Sequence, residues 1–212
     1  MLSGQKDVDF IILSKLNDKD LLSVAIANKY ANRLCNNEDF WRNRFISKWG
    51  SEYVKYNSEN RSWKRFYLLI TKYLNGSENW DLGMMGAAKD GHRDLVEFFI
   101  AKGADDWDRG MYSASQGGHQ NLVEFFIAKG ADNWNMGMNS AAQGGHMDLV
   151  EFFIAKGANN WDTGMKGAAQ GGNRDLVDFF IAKGANDWNW GMEAAALGGH
   201  KDLVEFFRQK MK

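Results

Sequence analysis

The stretch WDLGMMGAAKDGHRDLVEFFIAKGADD, residues 80–106, decides the fold, because the chain repeats it four more times at a strict 27-residue spacing. Trp80, Trp107, Trp134, Trp161 and Trp188 open the units. A Gly-Met pair follows at Gly83-Met84, Gly110-Met111, Gly137-Met138, Gly164-Met165 and Gly191-Met192, then small residues such as Ala87-Ala88, Ala141-Ala142 and Ala168-Ala169. The block GHRDLVEFFIAKGA at 91–104 returns as GHQNLVEFFIAKGA, GHMDLVEFFIAKGA and GNRDLVDFFIAKGA, and the last copy, GHKDLVEFFRQKMK, is rewritten. A unit of this length cannot bury its own apolar face and must stack on its neighbours, so the period predicts a solenoid. Solenoids mostly bind proteins.

Each unit reads as two short helices. Asp81, Asp108, Asn135, Asp162 and Asn189 are the expected N-caps of the first helix. Double Gly at 117–118, 144–145, 171–172 and 198–199, or Asp90-Gly91 in the first unit, ends it, since Gly tolerates the left-handed conformation of a helix end. Asp94 and Glu97 have capping-box spacing for the second helix; Asp148/Glu151 and Asp202/Glu205 repeat it, and Asp175/Asp178 and Asn121/Glu124 are weaker versions. Gly103, Gly130, Gly157 and Gly184 end that helix. Leu95, Val96, Phe98, Phe99 and Ile100 exceed one narrow stripe, which predicts cover on more than one side. At roughly 1.5–3 kcal/mol per buried large apolar side chain, the Phe pairs supply most of the driving force. Small residues facing them permit close helix approach.

The repeat resembles the ankyrin repeat, with Met84, Ala87-Ala88, Gly91-His92, Val96, Phe99-Ile100 and Gly103-Ala104 in the places of that family's pattern. The match covers 133 of 212 residues, with Asn173 in the place of His in the fourth unit. Ankyrin units run to about 33 residues, and the missing six fall where the family has its β-hairpin finger. Only Asp105-Asp106-Trp107-Asp108 and its flanks fill that place, and the family's Thr-Pro is absent because the chain has no Pro. The resemblance implies an all-α, right-handed ankyrin-like solenoid of five units (80–106, 107–133, 134–160, 161–187 and a C-terminal cap at 188–212), with the fingers shortened or absent.

The Trp column has two readings: turn packing against the preceding second helix, or an exposed ladder for a ligand or nucleic acid. Asp105, Asp106, Asp108, Asp132, Asp162 and Asp187 flank it, and acidic neighbours repel phosphate. His92, His119, His146 and His200 form a column at helix-packing intervals without closely spaced partner ligands, which favours turn stabilisation over metal binding. Positions that differ between units are the candidates for target recognition: Leu82, Arg109, Met136, Thr163 and Trp190, and Met85, Tyr112, Asn139, Lys166 and Glu193. In the ankyrin resemblance these lie on the concave surface; drift at solvent-exposed sites is the other reading. A second variable set is Arg93, Gln120, Met147, Arg174 and Lys201.

Composition bounds the rest. Residues 1–79 hold 13 basic and 9 acidic side chains, and residues 80–212 hold 13 and 18, so neither part is expected to bind nucleic acid. A lone Cys35 excludes an intrachain disulfide and fits a reducing compartment. With no apolar run of about 18 residues and no signal-peptide core in MLSGQKDVDF, a soluble monomer in the cytoplasm is expected, the nucleus remaining open, without membrane association. There is no phosphate-binding Gly loop, no Cys pair for zinc, and no base paired with Cys35. No enzyme activity, cofactor or metal is expected.

Residues 1–49 do not share the repeat. Val8, Phe10, Ile12, Leu13 and Leu16 mark a first amphipathic helix; Asn17 or Asp18 caps a second with Leu21, Leu22 and Val24; a third covers Ile26 to Leu34, and Asp39-Phe40-Trp41-Arg42 opens a fourth. So small a bundle is marginal alone and calls for a partner. It resembles an F-box over about 36 residues, through Leu13, Leu16, Asp20-Leu21-Leu22, Lys29, Arg33-Leu34 and Phe40-Trp41. The family's opening Leu-Pro is missing, Lys19 stands for its loop Pro, and Ala31 stands for its Trp. The resemblance implies docking on the Skp-type adaptor of a cullin-RING ubiquitin ligase through Leu13, Leu16, Leu21, Leu22 and Ala27; packing of that surface on the next segment is the alternative. Residues 50–79 read as a polar connector followed by a helix with Trp63, Phe66, Leu69 and Ile70 at helical spacing, expected to cap the solenoid. At the other end Arg208, Gln209, Lys210 and Lys212 replace apolar and Gly positions, as a C-terminal cap requires.

An F-box ahead of ankyrin-like units is similar to F-box/ankyrin proteins of large DNA viruses of amoebae, which implies a host target and host cytoplasm. The function expected is a substrate receptor, the bundle recruiting the ubiquitination machinery and the repeats holding an unknown target protein. A binding scaffold or decoy is the alternative.

Overall fold

The computed structural model describes residues 6–58 and 61–211, except the side chains of residues 6–8 and 10. Among these residues the chain is all helical, without strands, and divides into two compact units, Met1–Glu78 and Asn79–Lys212. The assignments to Val8, Phe10 and Lys212 lie outside the described side chains.

In the first unit α1 spans Lys6–Ser14, α2 Asp18–Ala27, α3 Lys29–Leu34, α4 Glu38–Trp49 and α5 Trp63–Leu74, with a 3-10 helix at Ser51–Tyr56 inside the expected connector. The starts follow from short amides: the side-chain oxygens of Asn17, Asn28 and Asn37 accept backbone N–H groups in the first turns of α2, α3 and α4. Asn28 also splits what read as one helix from Ile26 to Leu34. The helix expected to cap the solenoid belongs to this unit. Phe66, Tyr67, Ile70 and Leu74 bury one face of α5, and Phe66 and Trp63 lie 5.5 and 5.4 Å from Phe45 of α4. An amphipathic face needs an apolar partner, and the aromatic cluster of α4 supplies it.

The second unit consists of five helix pairs: α6 Trp80–Lys89 and α7 Arg93–Ala101, α8 Trp107–Gly117 and α9 Gln120–Lys129, α10 Trp134–Gly144 and α11 Met147–Ala155, α12 Trp161–Gly171 and α13 Arg174–Lys183, α14 Trp188–Gly198 and α15 Lys201–Lys210. First helices stack on first helices, and each second helix packs on the first helix of its own pair. A Cβ on Gly83, Gly110, Gly137, Gly164 or Gly191 would stand 2.3–2.7 Å from the ring of Phe99, Phe126, Phe153, Phe180 or Phe207. Only Gly lets the second Phe of each pair lie flat on the first helix. Those five rings are fully buried, as are Val96, Val123, Val150 and Val177. The apolar face is narrower than the composition suggests: Phe125, Phe152, Phe179 and Phe206 are half-buried, and only Phe98 is enclosed.

The caps differ from those expected. Asn79, Asp106, Asn133, Asn160 and Asp187, one residue before each Trp, accept the N–H three residues on and start the first helices. The Trp therefore occupies the first helical position, and the Asp or Asn after it, already inside the helix, is released for another use. The second helices begin after His92, His119, His146, Asn173 and His200 with no side-chain cap bond, so the capping-box spacing of Asp94 and Glu97 is not used as one. Gly118, Gly145, Gly172 and Gly199 close the later first helices with φ between 76° and 81°.

Candidate protein-interaction surfaces

Two side chains per unit tie each helix pair to the next. Asp81 Oδ1 accepts the backbone N–H of Asp105 and Asp106 at 3.0 and 3.1 Å; Asp108 does so for Asp132 and Asn133, Asn135 for Asn159 and Asn160, and Asp162 for Asn186 and Asp187. These clamps hold the turn that leads from each second helix into the first helix of the next unit. The histidine column works across the same seams. His119 Nε2 lies 3.0 Å from the Lys89 carbonyl and His146 Nε2 3.1 Å from that of Gln116, while Asn173 Nδ2 donates to the carbonyls of Ala142 and Gln143 at 2.8 and 3.2 Å. Each group satisfies a carbonyl near the C-terminal end of the previous first helix, where the helix itself leaves acceptors unmet.

The five column Trp residues are half-buried. Lys102 lies 5.2 Å over Trp80 and Lys129 5.8 Å over Trp107, which places these rings near the end of the second helix of their own unit.

The variable positions form two interlocking columns. Leu82, Arg109 and Met136 are exposed, whereas Trp190 is half-buried and Thr163 is 7 % exposed. Thr163 is thus buried, and its carbonyl accepts a hydrogen bond from Asn139 Nδ2 of the third unit at 2.7 Å. One unit further on, Lys166 Nζ sits 4.5 Å over the Trp190 ring. The later position of one unit therefore reaches the earlier position of the next. Met85, Tyr112, Asn139 and Lys166 are half-buried in this arrangement and Glu193 is exposed. Arg109 Nε pairs with Asp106 at 3.3 Å. Burial, together with the charges of Asp108, Asp106 and Asp132, pushes the Tyr112 phenol up to about 12. Variation at these sites changes how neighbouring units lock as well as what they show to solvent.

In the first unit the central group is one that the sequence pattern did not single out. Arg44, 8 % exposed on α4, donates to Asp18 at 2.7 and 3.2 Å, to the carbonyls of Ser14 and Leu16 at 2.8 and 2.6 Å, and to the Tyr67 hydroxyl at 3.2 Å. It ties the end of α1 and the start of α2 to α4 and α5. Burial pushes the Asp18 carboxyl up, but the bonds from Arg44 and Tyr67 and the charge of Lys48 hold it below the ordinary value. Burial is also the main reason that the Tyr67 phenol is pushed far up. The only trace in the sequence is an Arg between Asn43 and Phe45 in the aromatic run FWRNRF.

Of the five residues expected to face an adaptor, Leu13 and Leu21 are fully buried and belong to the core of the unit. Leu13 and Leu21 face the protein, and the exposed apolar side chains of α1 and α2 include Ile11 (58 %), Ile12 (39 %), Leu22 (39 %) and Ile26 (86 %). Leu16 is half-buried and Ala27 is exposed.

Among the described residues no group of three or more His, Cys, Asp or Glu side chains could hold a metal ion, and no helix is long and apolar enough to cross a membrane. Burial pushes the Cys35 thiol up, away from the thiolate that a nucleophile needs. No protein-family model matches this chain, and no curated protein matches it.

Proposed function

We propose that the chain is a two-part protein-binding molecule and not an enzyme: an F-box-like helical unit that docks on a Skp-type adaptor, and ankyrin-like repeats that hold a target protein for a cullin-RING ubiquitin ligase in the cytoplasm. The observation that carries this reading is the set of solvent-exposed apolar side chains on α1 and α2, with Ile26 at 86 % exposure and Ile11 at 58 %. Such groups gain roughly 1.5–3 kcal/mol each when a partner covers them fully. Leu16, Leu22 and Ala27 remain adaptor contacts in this proposal, joined by Ile11, Ile12 and Ile26. The likeness to F-box/ankyrin proteins of large DNA viruses makes a host protein the proposed target.

Burial of Leu13 and Leu21 favours a second reading, a scaffold or decoy that binds proteins without ligase association, because two of the five residues implied by the F-box resemblance are unavailable. Co-elution of the full chain with purified Skp-type adaptor separates the two. The ligase reading expects a complex that Leu22→Asp with Ile26→Asp removes; a folded wild-type chain that elutes alone leaves the scaffold. The repeat surface is tested separately, with a photo-crosslinking residue in place of Leu82 or Met136. Partner proteins should be labelled there and not from Glu151, an exposed position on α11; equal labelling from both would remove the assignment.

A further inference from the structure

The buried Arg44 network of the first unit also lines a cavity whose charges do not cancel. The cavity, of about 530 Å³, lies where α1 ends and α2 begins against α4 and α5, with Ile11, Asp18, Phe40, Arg44, Lys48 and Tyr67 among its lining residues. No other residue of the lining is charged, so two cations, Arg44 and Lys48, face the single carboxylate of Asp18.

That carboxylate belongs to Arg44. Asp18 Oδ1 accepts Arg44 Nε and Nη2 at 3.2 and 2.7 Å and the Tyr67 hydroxyl at 2.9 Å. Lys48 is held more loosely, with Nζ 3.6 Å from Asp18 Oδ2 and 3.5 Å from the Tyr67 hydroxyl, both longer than an ordinary hydrogen bond. Its side chain is 47 % exposed, so the ammonium can turn toward a ligand. Arg44 has an unused donor as well. Its Nε–H and both Nη2–H groups are taken up by Asp18, Tyr67 and the Leu16 carbonyl, but Nη1, with two N–H groups, meets one acceptor among the described residues, the Ser14 carbonyl at 2.8 Å. Ser14 lines the same cavity. A guanidinium this deeply buried gains from an added acceptor, since a donor left without one keeps its full desolvation cost.

We propose that this cavity binds a small organic monocarboxylate with a compact aliphatic body, the carboxylate held by Arg44 Nη1 and the Lys48 ammonium and the chain laid against Ile11 and Phe40. A single negative charge balances the excess of the lining, whereas a phosphate dianion would leave net negative charge beside Asp18. Two charge-assisted bonds from different cations suit the two oxygens of a carboxylate. Ile11 is 58 % exposed, and an aliphatic chain covering it removes apolar surface from water, with Phe40, 3 % exposed, as the deeper contact. The volume falls within the roughly 300–1,000 Å³ of small-molecule sites and exceeds what one acidic side chain of a docked protein fills, which favours a free acid.

The test uses the full chain, labelled at isoleucine methyl groups and titrated with sodium hexanoate at constant ionic strength. The Ile11 methyl resonance should shift and saturate in the millimolar range, while Ile26, 86 % exposed and outside the cavity, stays in place. Hexanamide, the neutral isostere, and acetate, which lacks the chain, should each bind several-fold more weakly, and inorganic phosphate should not displace hexanoate. Lys48→Met should weaken hexanoate several-fold and leave hexanamide unchanged. In the wild type, an Ile11 resonance that does not saturate, equal affinity for hexanamide or acetate, displacement by phosphate, or an Ile26 shift parallel to that of Ile11 would each overturn the assignment, as would unchanged hexanoate binding in Lys48→Met. No adaptor is present in this titration, so its failure leaves the docking of α1 and α2 to the co-elution experiment and the two can be told apart.

Discussion

Asp108 Oδ1 accepts the backbone N–H of Asp132 at 3.1 Å, across the seam between the second and third units and 24 residues along the chain. The same oxygen takes the N–H of Asn133 at 3.3 Å. One side chain thus satisfies two consecutive donors of a turn that has no strand partner, and the bond recurs at every seam.

Asp108→Ala removes both bonds at once. With a net worth of about 0.5–1.5 kcal/mol per hydrogen bond, the repeat unit should lose about 1–2 kcal/mol in urea unfolding. Asp108→Asn should change it by less than about 0.5 kcal/mol, because Asn135 performs the same task one unit on. Equal loss from both substitutions would show that charge, and not the two bonds, carries the effect.

Gly137→Ala sets two opposed terms against each other. Replacing a mid-helix Gly by Ala gains about 1 kcal/mol of helix propensity. The new Cβ would stand 2.5 Å from the fully buried Phe153 ring, and overpacking of a core costs about 1–3 kcal/mol. Because the ring is enclosed, a net loss of up to about 2 kcal/mol is expected, and calorimetric unfolding should show a lower Tm. Adding Phe153→Leu to the variant should recover part of it. A raised Tm in Gly137→Ala alone would mean that the helix pair separates freely.

Asp18→Ala should destabilise the first unit by about 2–3 kcal/mol, because Arg44 is left buried without its anion. The figure lies below the range for a fully enclosed pair, since the Asp18 side chain is 29 % exposed. The folded-state value of the carboxyl lies below its ordinary 3.8, so its contribution is complete above that value and is lost as pH falls through the folded-state value. The wild type should therefore lose stability more steeply below about pH 4 than Asp18→Ala does, as followed by Trp fluorescence.

Tyr112 titrates high, pushed to about 12 from 10.0. Since the folded-state value is raised, its contribution is intact below pH 10.0 and is lost between there and about 12. Alkaline absorbance titration of wild type against Tyr112→Phe should show the phenolate of Tyr112 forming late, and Tyr112→Phe should lose less stability over that interval.

The repeat period, the Gly helix ends and the lack of strands among the described residues were legible because they depend on local chemistry that recurs from unit to unit. The caps were displaced by two residues. Asp81 and Asn79 both suit an N-cap, and only the three-dimensional turn shows that Asp81 serves the following unit. Phe66 and Ile70 gave the apolar face of α5, but periodicity does not say which surface covers such a face, and the Phe45 cluster was the answer. Leu13 and Leu21 were marked as apolar and exposed for a partner, yet α1 and α2 carry apolar residues on two faces and only packing decides which turns inward. Arg44 was silent in the sequence because its four partner groups, the Ser14 and Leu16 carbonyls, Asp18 and Tyr67, lie in two stretches of chain remote from it in sequence.

Calorimetric titration of a purified Skp-type adaptor into the full chain tests the central proposal most directly. Saturable binding near one-to-one stoichiometry, lost in Leu22→Asp with Ile26→Asp and kept in Asp108→Asn, is the predicted result. A folded wild-type chain that gives no binding heat at any temperature tried and does not co-elute with the adaptor would contradict it.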